Sequence, residues 1–320
     1  MKRRWEIILL LGGLASWGCR ATPPPAVSPP RSTASTASIA TASGIVIHAL
    51  RAGWVRVKAS HRELSGPAFW RVPRIIFDEA WTAWMPIVVY AIVRPADGGI
   101  VLVDTGAAAT INNPDYFDCE SSHAWFYRRN LDFDVARGDH LLPRMVEAGL
   151  DPKRVDTIVV THFHADHGGA LDAFPTAQVL VGPGNWPSHA GAATCHLGAN
   201  WAPLEARYED GPFAGWAASR RLDQPGRIRM IPLPGHTPGH AGVAIEDEDQ
   251  TWLFVGDATF DLGQTQRLAV AGISEDVTAA IATQRALRRA QRERRATLLP
   301  AHDPTVFQRL VASERNDSPR

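Results

Sequence analysis

Val155-Asp156-Thr157-Ile158-Val159-Val160-Thr161-His162-Phe163-His164-Ala165-Asp166-His167 is the stretch from which the rest of the chain can be read. Its first half is a β-branched, apolar run, the pattern of a strand buried on both faces. Its second half packs three histidines and an aspartate into consecutive or alternate positions. A lone histidine is usually a satisfied core or surface residue. Four such donors side by side are not, because burying them without a cation leaves several polar groups unpaired. The change from strand to loop matters too. A regular strand sends successive side chains to opposite faces, whereas a loop can turn all four around one small volume.

A metal-binding reading requires further donors at neighbouring strand ends on the same edge of a sheet. The chain supplies them. Pro234-Gly235-His236-Thr237-Pro238-Gly239-His240 follows a predicted strand at 228–231, Gly256-Asp257 follows one at 252–255, and Ala301-His302-Asp303 follows one at 297–299. Imidazole and carboxylate donors without thiolate suit zinc, with iron, manganese or cobalt as other borderline divalent metals.

Outward from these motifs, β-branched runs at 45–47, 55–57, 87–93, 100–103, 178–181 and 242–245 predict further strands. Leu141, Leu142, Met145 and Val146 recur at helical spacing, with Gly149 as the stop. A short helix is expected after His167. A longer one is expected over 276–295, with Val277, Ile281 and Leu287 as its apolar stripe and Arg285, Arg288, Arg289, Arg292, Arg294 and Arg295 on a solvated face. This order describes a single layered α/β unit with mixed sheets. Across 320 residues, 33 basic side chains balance 33 acidic ones, which argues against a nucleic-acid partner. Nucleophilic-serine and nucleotide readings have no motif: there is no Gly-x-Ser-x-Gly elbow, Walker loop or dinucleotide fingerprint.

From about residue 45 to 307 the sequence resembles the metallo-β-lactamase superfamily. His162, His164, Asp166 and His167 match its His-x-His-x-Asp-His motif, and His236, Asp257 and His302 match its downstream ligands in order. The resemblance implies an αββα sandwich, two mixed β-sheets flanked by helices, holding two divalent metal ions, zinc first. His162, His164 and His236 would hold one ion and Asp166, His167 and His302 the other, with Asp257 between them. A shared hydroxide would attack an ester-type carbonyl, and Asp166 would return a proton to the leaving group. Asp104, in Val103-Asp104-Thr105-Gly106, is expected beside the metals, and His240 in a structural role. The spacing is closest to the N-acyl-homoserine lactonase-like branch. Where those lactonases carry a tyrosine that reaches the substrate carbonyl, this chain has Phe260, which cannot donate that hydrogen bond. The same site also fits hydrolysis of a thioester, phosphodiester, sulfate ester or β-lactam, or an iron-containing oxidoreductase of the same fold. Trp70, Trp81, Trp84, Trp125 and Phe126 precede the motif and could wall an acyl pocket, although ordinary packing is favoured for most of them. The expected substrate is a small molecule; oligomeric state is left open.

At the N-terminus, Lys2, Arg3 and Arg4 precede an apolar run over 7–15, too short to span a bilayer and in the order of a secretory signal. Residues 14–19, ending at Cys19, resemble a lipoprotein signal, which implies membrane anchoring through a lipidated Cys19; simple secretion competes with it. The expected organisation is a signal peptide at 1–19, a disordered Pro/Ser/Thr/Ala linker at 20–43, a catalytic domain at 44–312 and a flexible tail at 313–320, in a protein exported to the envelope or beyond. Cys119 and Cys195 are then either a disulfide or two free buried thiols.

Overall fold

The apolar runs become strands whose side chains alternate between two different cores. The computed structural model describes residues 28–30, 34–119, 123–136, 138–186, 191–197, 202–248 and 250–316. A first sheet contains β1 (Thr36–Ala40), β2 (Val46–Val57), β3 (Met85–Val93), β4 (Ile100–Val103), β5 (Leu131–Asp134), β6 (Val155–Val160), β7 (Gln178–Val181) and β8 (Leu204–Glu205). Their order is β1-β2-β3-β4-β6-β7-β8, with β5 paired to β2. The β1 to β4 pairings are antiparallel, and those from β4 through β6 and β7 to β8 are parallel. The second sheet is β13 (Ala296–Pro300), β12 (Gln250–Gly256), β11 (Ala241–Asp247), β10 (Ile228–Pro232) and β9 (Arg220–Arg221), in that order. Only its β12 and β13 pair is parallel.

In β3, Val88, Tyr90 and Ile92 face the core between the sheets, where they meet Val243, Ile245, Phe254 and Leu299 of the second sheet. Val89 and Ala91 face the other way, against Leu141 and Met145 of helix α4 (Leu141–Glu147). Tyr90 fastens the two sheets: its ring lies edge-on to Phe254 at 5.0 Å and its hydroxyl donates to Pro300 O at 2.6 Å. Full burial of a ring such as that of Phe254 contributes about 2–3 kcal/mol. The outer face of the second sheet is covered by α6 (Val277–Glu293), completing the αββα layering.

The remaining helices are α1 (Ala59–Arg62), α2 (Arg71–Phe77), α3 (Ala124–Asn130), α5 (Leu262–Arg267) and α7 (Val306–Asn316). Helix α1 runs from the end of β2, and α3 leads directly into β5. Both stand on the edge where the donor loops emerge.

Several boundaries differ from the sequence reading. The folded unit begins before residue 44, because β1 pairs with β2 and carries Ile39, 2% exposed, into the inter-sheet core. Its other residues are small or polar, which hid the strand in a linker-like composition. At the other end α7 runs beyond residue 312, and its Val306, Phe307 and Leu310 join the same core. The expected signal peptide and Cys19 lie outside the described residues. Helix α6 buries Ala280, Thr283, Gln284, Leu287 and Ala290, leaving Val277 and Ile281 half-buried. The small residues are there because the helix closes on Gly235, where a Cβ would lie 2.2 Å from Ala280 N. The segment after His167 makes only a 3₁₀ turn, Leu171–Ala173.

Candidate metal centre

Four strand ends meet at one edge of the sandwich. The loop after β6 carries His162, His164, Asp166 and His167, and the loops after β10, β12 and β13 carry His236, Asp257 and His302. Backbone hydrogen bonds tie these loops together: Ala241 N donates to Thr161 O at 3.1 Å, Ala301 N to Gly256 O at 3.3 Å, and Val88 N to Ala301 O at 2.9 Å. Gly256 permits the turn into Asp257. Its φ is 48°, and a Cβ there would lie 2.8 Å from Thr161 Oγ1.

The seven expected side chains form two donor groups, His162, His164, His236 and Asp257 in one, and Asp166, His167 and His302 in the other. In the first, His164 Nδ1 lies 2.8 Å from His162 Nε2 and 3.2 Å from His236 Nε2, while Asp257 Oδ2 lies 3.6 Å from His236 Nε2 and 3.9 Å from His162 Nε2. In the second, His302 Nε2 lies 3.5 Å from Asp166 Oδ2, and His167 Nε2 lies 3.8 Å from Asp166 Oδ1. Asp257 reaches this group as well, its Oδ1 standing 3.2 Å from His302 Nε2 and 3.3 Å from His167 Nε2. Donors about 2.0–2.1 Å from a tetrahedral ion stand roughly 3.3 Å from each other, so both groups have the spacing of a coordination shell.

A second layer fixes which nitrogen faces inward. Asp104 takes Thr161 N–H at 2.7 Å and Thr161 Oγ1–H at 2.9 Å, and its Oδ2 lies 2.8 Å from His167 Nδ1. His302 Nδ1 lies 3.0 Å from Pro86 O. With the proton held on Nδ1, the Nε2 lone pairs of both rings point at Asp257. His167 Nε2 and Asp257 Oδ1 are accordingly buried with no hydrogen-bond partner. Two facing lone pairs in a dry site fit a bound cation. His240 stands apart from both groups. Its Nε2 accepts the Asp257 backbone N–H at 3.2 Å, the structural role expected of it.

The rings and carboxylates also shift one another's charge. Burial, reinforced by neighbouring rings, pushes His162 well below the usual histidine range; burial does the same to His236 against the pull of Asp257. Burial also opposes charge on His167 and His302, but the nearby carboxylates, Asp257 first, outweigh it and raise both. Asp257 lies well below the usual carboxylate range because His302 and His167 overcome its own burial.

A cleft of about 450 Å³, including its open mouth, reaches His164, Asp166, Asp257 and His302. Phe260 forms part of its wall, 3% exposed, its ring 5.2 Å from that of His302. Of the early aromatics only Phe126 lines the cleft. Trp81 and Trp84 instead pack on the Arg56 guanidinium at 5.5 Å and 4.6 Å. The sequence reading missed His61 and Tyr127, which belong to no motif and reach the wall through α1 and α3. Cys119 and Cys195 are joined as a disulfide, with Cα atoms 5.8 Å apart.

A family profile described as the metallo-beta-lactamase superfamily matches residues 82–302, well over half of the chain, and the chain belongs to that superfamily. Among curated relatives, a probable metallo-hydrolase of Mycobacterium bovis is 31% identical over 179 residues, covering 52% of this chain and 55% of that protein. The N-acyl homoserine lactonase AttM of Rhizobium radiobacter is 25% identical over 167 residues, covering 50% of this chain and 62% of the lactonase. The chain thus spans little more than half the length of these relatives. Among solved structures, a B. thuringiensis AiiA mutant with N-decanoyl-L-homoserine bound at the active site superposes with a TM-score of 0.62 at 18% identity, over 86% of this chain and 96% of that one. The dizinc quorum-quenching lactonase AidC, in complex with a product, gives 0.55 at 14% identity, over 83% and 90%. These likenesses are of fold.

Proposed function

We propose that the protein is a binuclear metal-dependent hydrolase that opens an uncharged ester or lactone. The observation that carries this reading is Asp257, whose two carboxylate oxygens face two different donor groups. In this assignment His162, His164 and His236 would hold one ion, Asp166, His167 and His302 the other, and Asp257 would serve both. Zinc suits the nitrogen and oxygen donors best. When bound, the pair would supply a water acidified toward neutrality and a positive charge for the developing oxyanion.

The chain's own residues do the rest. Asp104 and Thr161 hold the histidine rings in register. The apolar walls exclude water and seat an acyl chain. Asp166, which lines the cleft, would take the proton given up by the attacking water and pass it to the leaving alkoxide. The wall has no arginine or lysine among the described residues, which supports a neutral substrate over a phosphodiester or sulfate ester.

A panel of acyl-homoserine lactones, simple esters, a thioester and a β-lactam tests this reading on zinc-loaded and chelator-stripped protein. Turnover of lactone or ester that disappears with the metal is expected. A fully loaded protein inert toward every ester and lactone would sink the proposal.

We also place the protein outside the cytosol, with Cys19 as a lipid anchor. The Cys119 and Cys195 pair supports this, since such bonds persist in oxidising compartments. Fractionation with fatty-acid labelling and non-reducing peptide mapping checks it: a cytosolic, unlabelled protein with free thiols rejects the placement.

A further inference from the structure

We infer that the His61 imidazole donates a hydrogen bond to an oxygen of the substrate's acyl group, as the specificity-determining polar contact of the cleft. This rests on the hydrolase reading above. Val55, Val57, Met85, Phe126, Leu131 and Ile273 make most of the wall apolar. Tyr127 is also there, but its hydroxyl donates to Gly191 O. The other polar side chains at the cleft, His164, Asp166, Asp257 and His302, belong to the metal-donor groups. His61 is what remains.

Its ring is 6% exposed, and Nδ1 is enclosed without a hydrogen-bond partner. The proton offered to a ligand is therefore on Nε2. With Nδ1 closed off, the ring can meet a ligand only from the cleft side and through Nε2. The ring is not needed to hold its own segment. The backbone does that: His61 N–H donates to Lys58 O at 2.9 Å, His61 O accepts from Gly272 N at 2.8 Å, and Arg62 O accepts from Gln264 Nε2 at 2.7 Å. Ser60 is pinned to Asp78 Oδ2 at 2.7 Å through its N–H. These bonds tie α1 to Gly272 and to Gln264 of α5, whose Oε1 in turn accepts the Phe260 N–H at 2.8 Å. Burial keeps the ring neutral, holding it down to about 4, so near neutral pH it carries one N–H and no charge. A neutral donor among apolar walls selects an uncharged acyl group and gives an anion nothing to pair with.

The test uses zinc-loaded wild type, His61→Phe and His61→Gln. Elemental analysis should find the same metal content in all three. For N-hexanoyl-L-homoserine lactone, His61→Phe should lower kcat/KM by about tenfold to a hundredfold, and His61→Gln, which keeps an N–H, should recover most of it. Calorimetric affinity for N-hexanoyl-L-homoserine should follow the same order. In wild type, the His61 ring nitrogen resonance should shift when that compound is added, a readout that needs no variant. Equal losses in both variants, a fall in metal content, or an unmoved resonance overturns the contact. Hydrolysis insensitive to either substitution rejects the contact and leaves the hydrolase reading standing. His61-dependent binding without hydrolysis of any ester or lactone does the reverse.

Discussion

Asp104 Oδ2 lies 2.8 Å from His167 Nδ1, and this contact orients the second donor group. Asp104 adopts φ 64°, a left-handed conformation uncommon outside glycine, and it does so at the end of β4 beside the site. Held this way, its carboxylate reaches both His167 and the backbone of Thr161. Asp104→Asn removes the charge that keeps the proton on Nδ1. We expect affinity for the ion at Asp166, His167 and His302 to fall about tenfold to a hundredfold, with less effect on the other ion. Competition with a chromophoric chelator resolves the two affinities. An equal fall at both would mean that Asp104 acts on the fold and not on His167.

Asp257 serves both groups, so Asp257→Ala should act on both ions. Oδ2 is lost to His162 and His236, and Oδ1 to His167 and His302. We expect metal content after dialysis to drop from two equivalents and turnover to drop with it. Two retained equivalents with normal turnover would rule out the shared role.

The donors were legible because their chemistry is local. Three histidines and an aspartate in one loop are costly to bury except around a cation, and His236, Asp257 and His302 each follow an apolar strand. The strands were legible for a related reason: β3, β12 and the second half of β6 are buried on both faces and read as apolar runs. Strand β1 was not, because its pairing with β2 depends on partners distant in sequence and only Ile39 marks its core face. His61 was not either. It lies in Ala59-Ser60-His61-Arg62 without a motif, and its place at the cleft comes from backbone hydrogen bonds of α1 to Gly272 and to Gln264 of α5 that no local pattern encodes.

His61 also makes an acid-stability prediction for the metal-free protein. An ordinary histidine takes a proton near 6.5, whereas burial holds His61 to about 4 in the folded state. Between those values the unfolded chain binds the extra proton and the folded one does not, so stability rises with pH across the window and is lost as pH falls through it. At pH 5 this amounts to up to about 2 kcal/mol. Urea unfolding with chelator present, at pH 5 and pH 7.5, should show a smaller acid loss in His61→Phe than in wild type. Equal losses would place His61 in contact with water in the folded protein.

Phe260 decides how the carbonyl is polarised. Its ring stands 5.2 Å from that of His302 and 6.3 Å from that of His236, on the cleft wall, yet it offers no donor. Phe260→Tyr adds a hydroxyl at the end of that ring. A hydrogen bond gained only in the transition state is worth about 1–3 kcal/mol, or roughly fivefold to a hundredfold in rate. We expect lactone turnover to rise by that factor and aryl-ester turnover to rise less, because an aryl leaving group depends less on oxyanion stabilisation. If neither rate moves, the Phe260 ring does not face the reacting carbonyl.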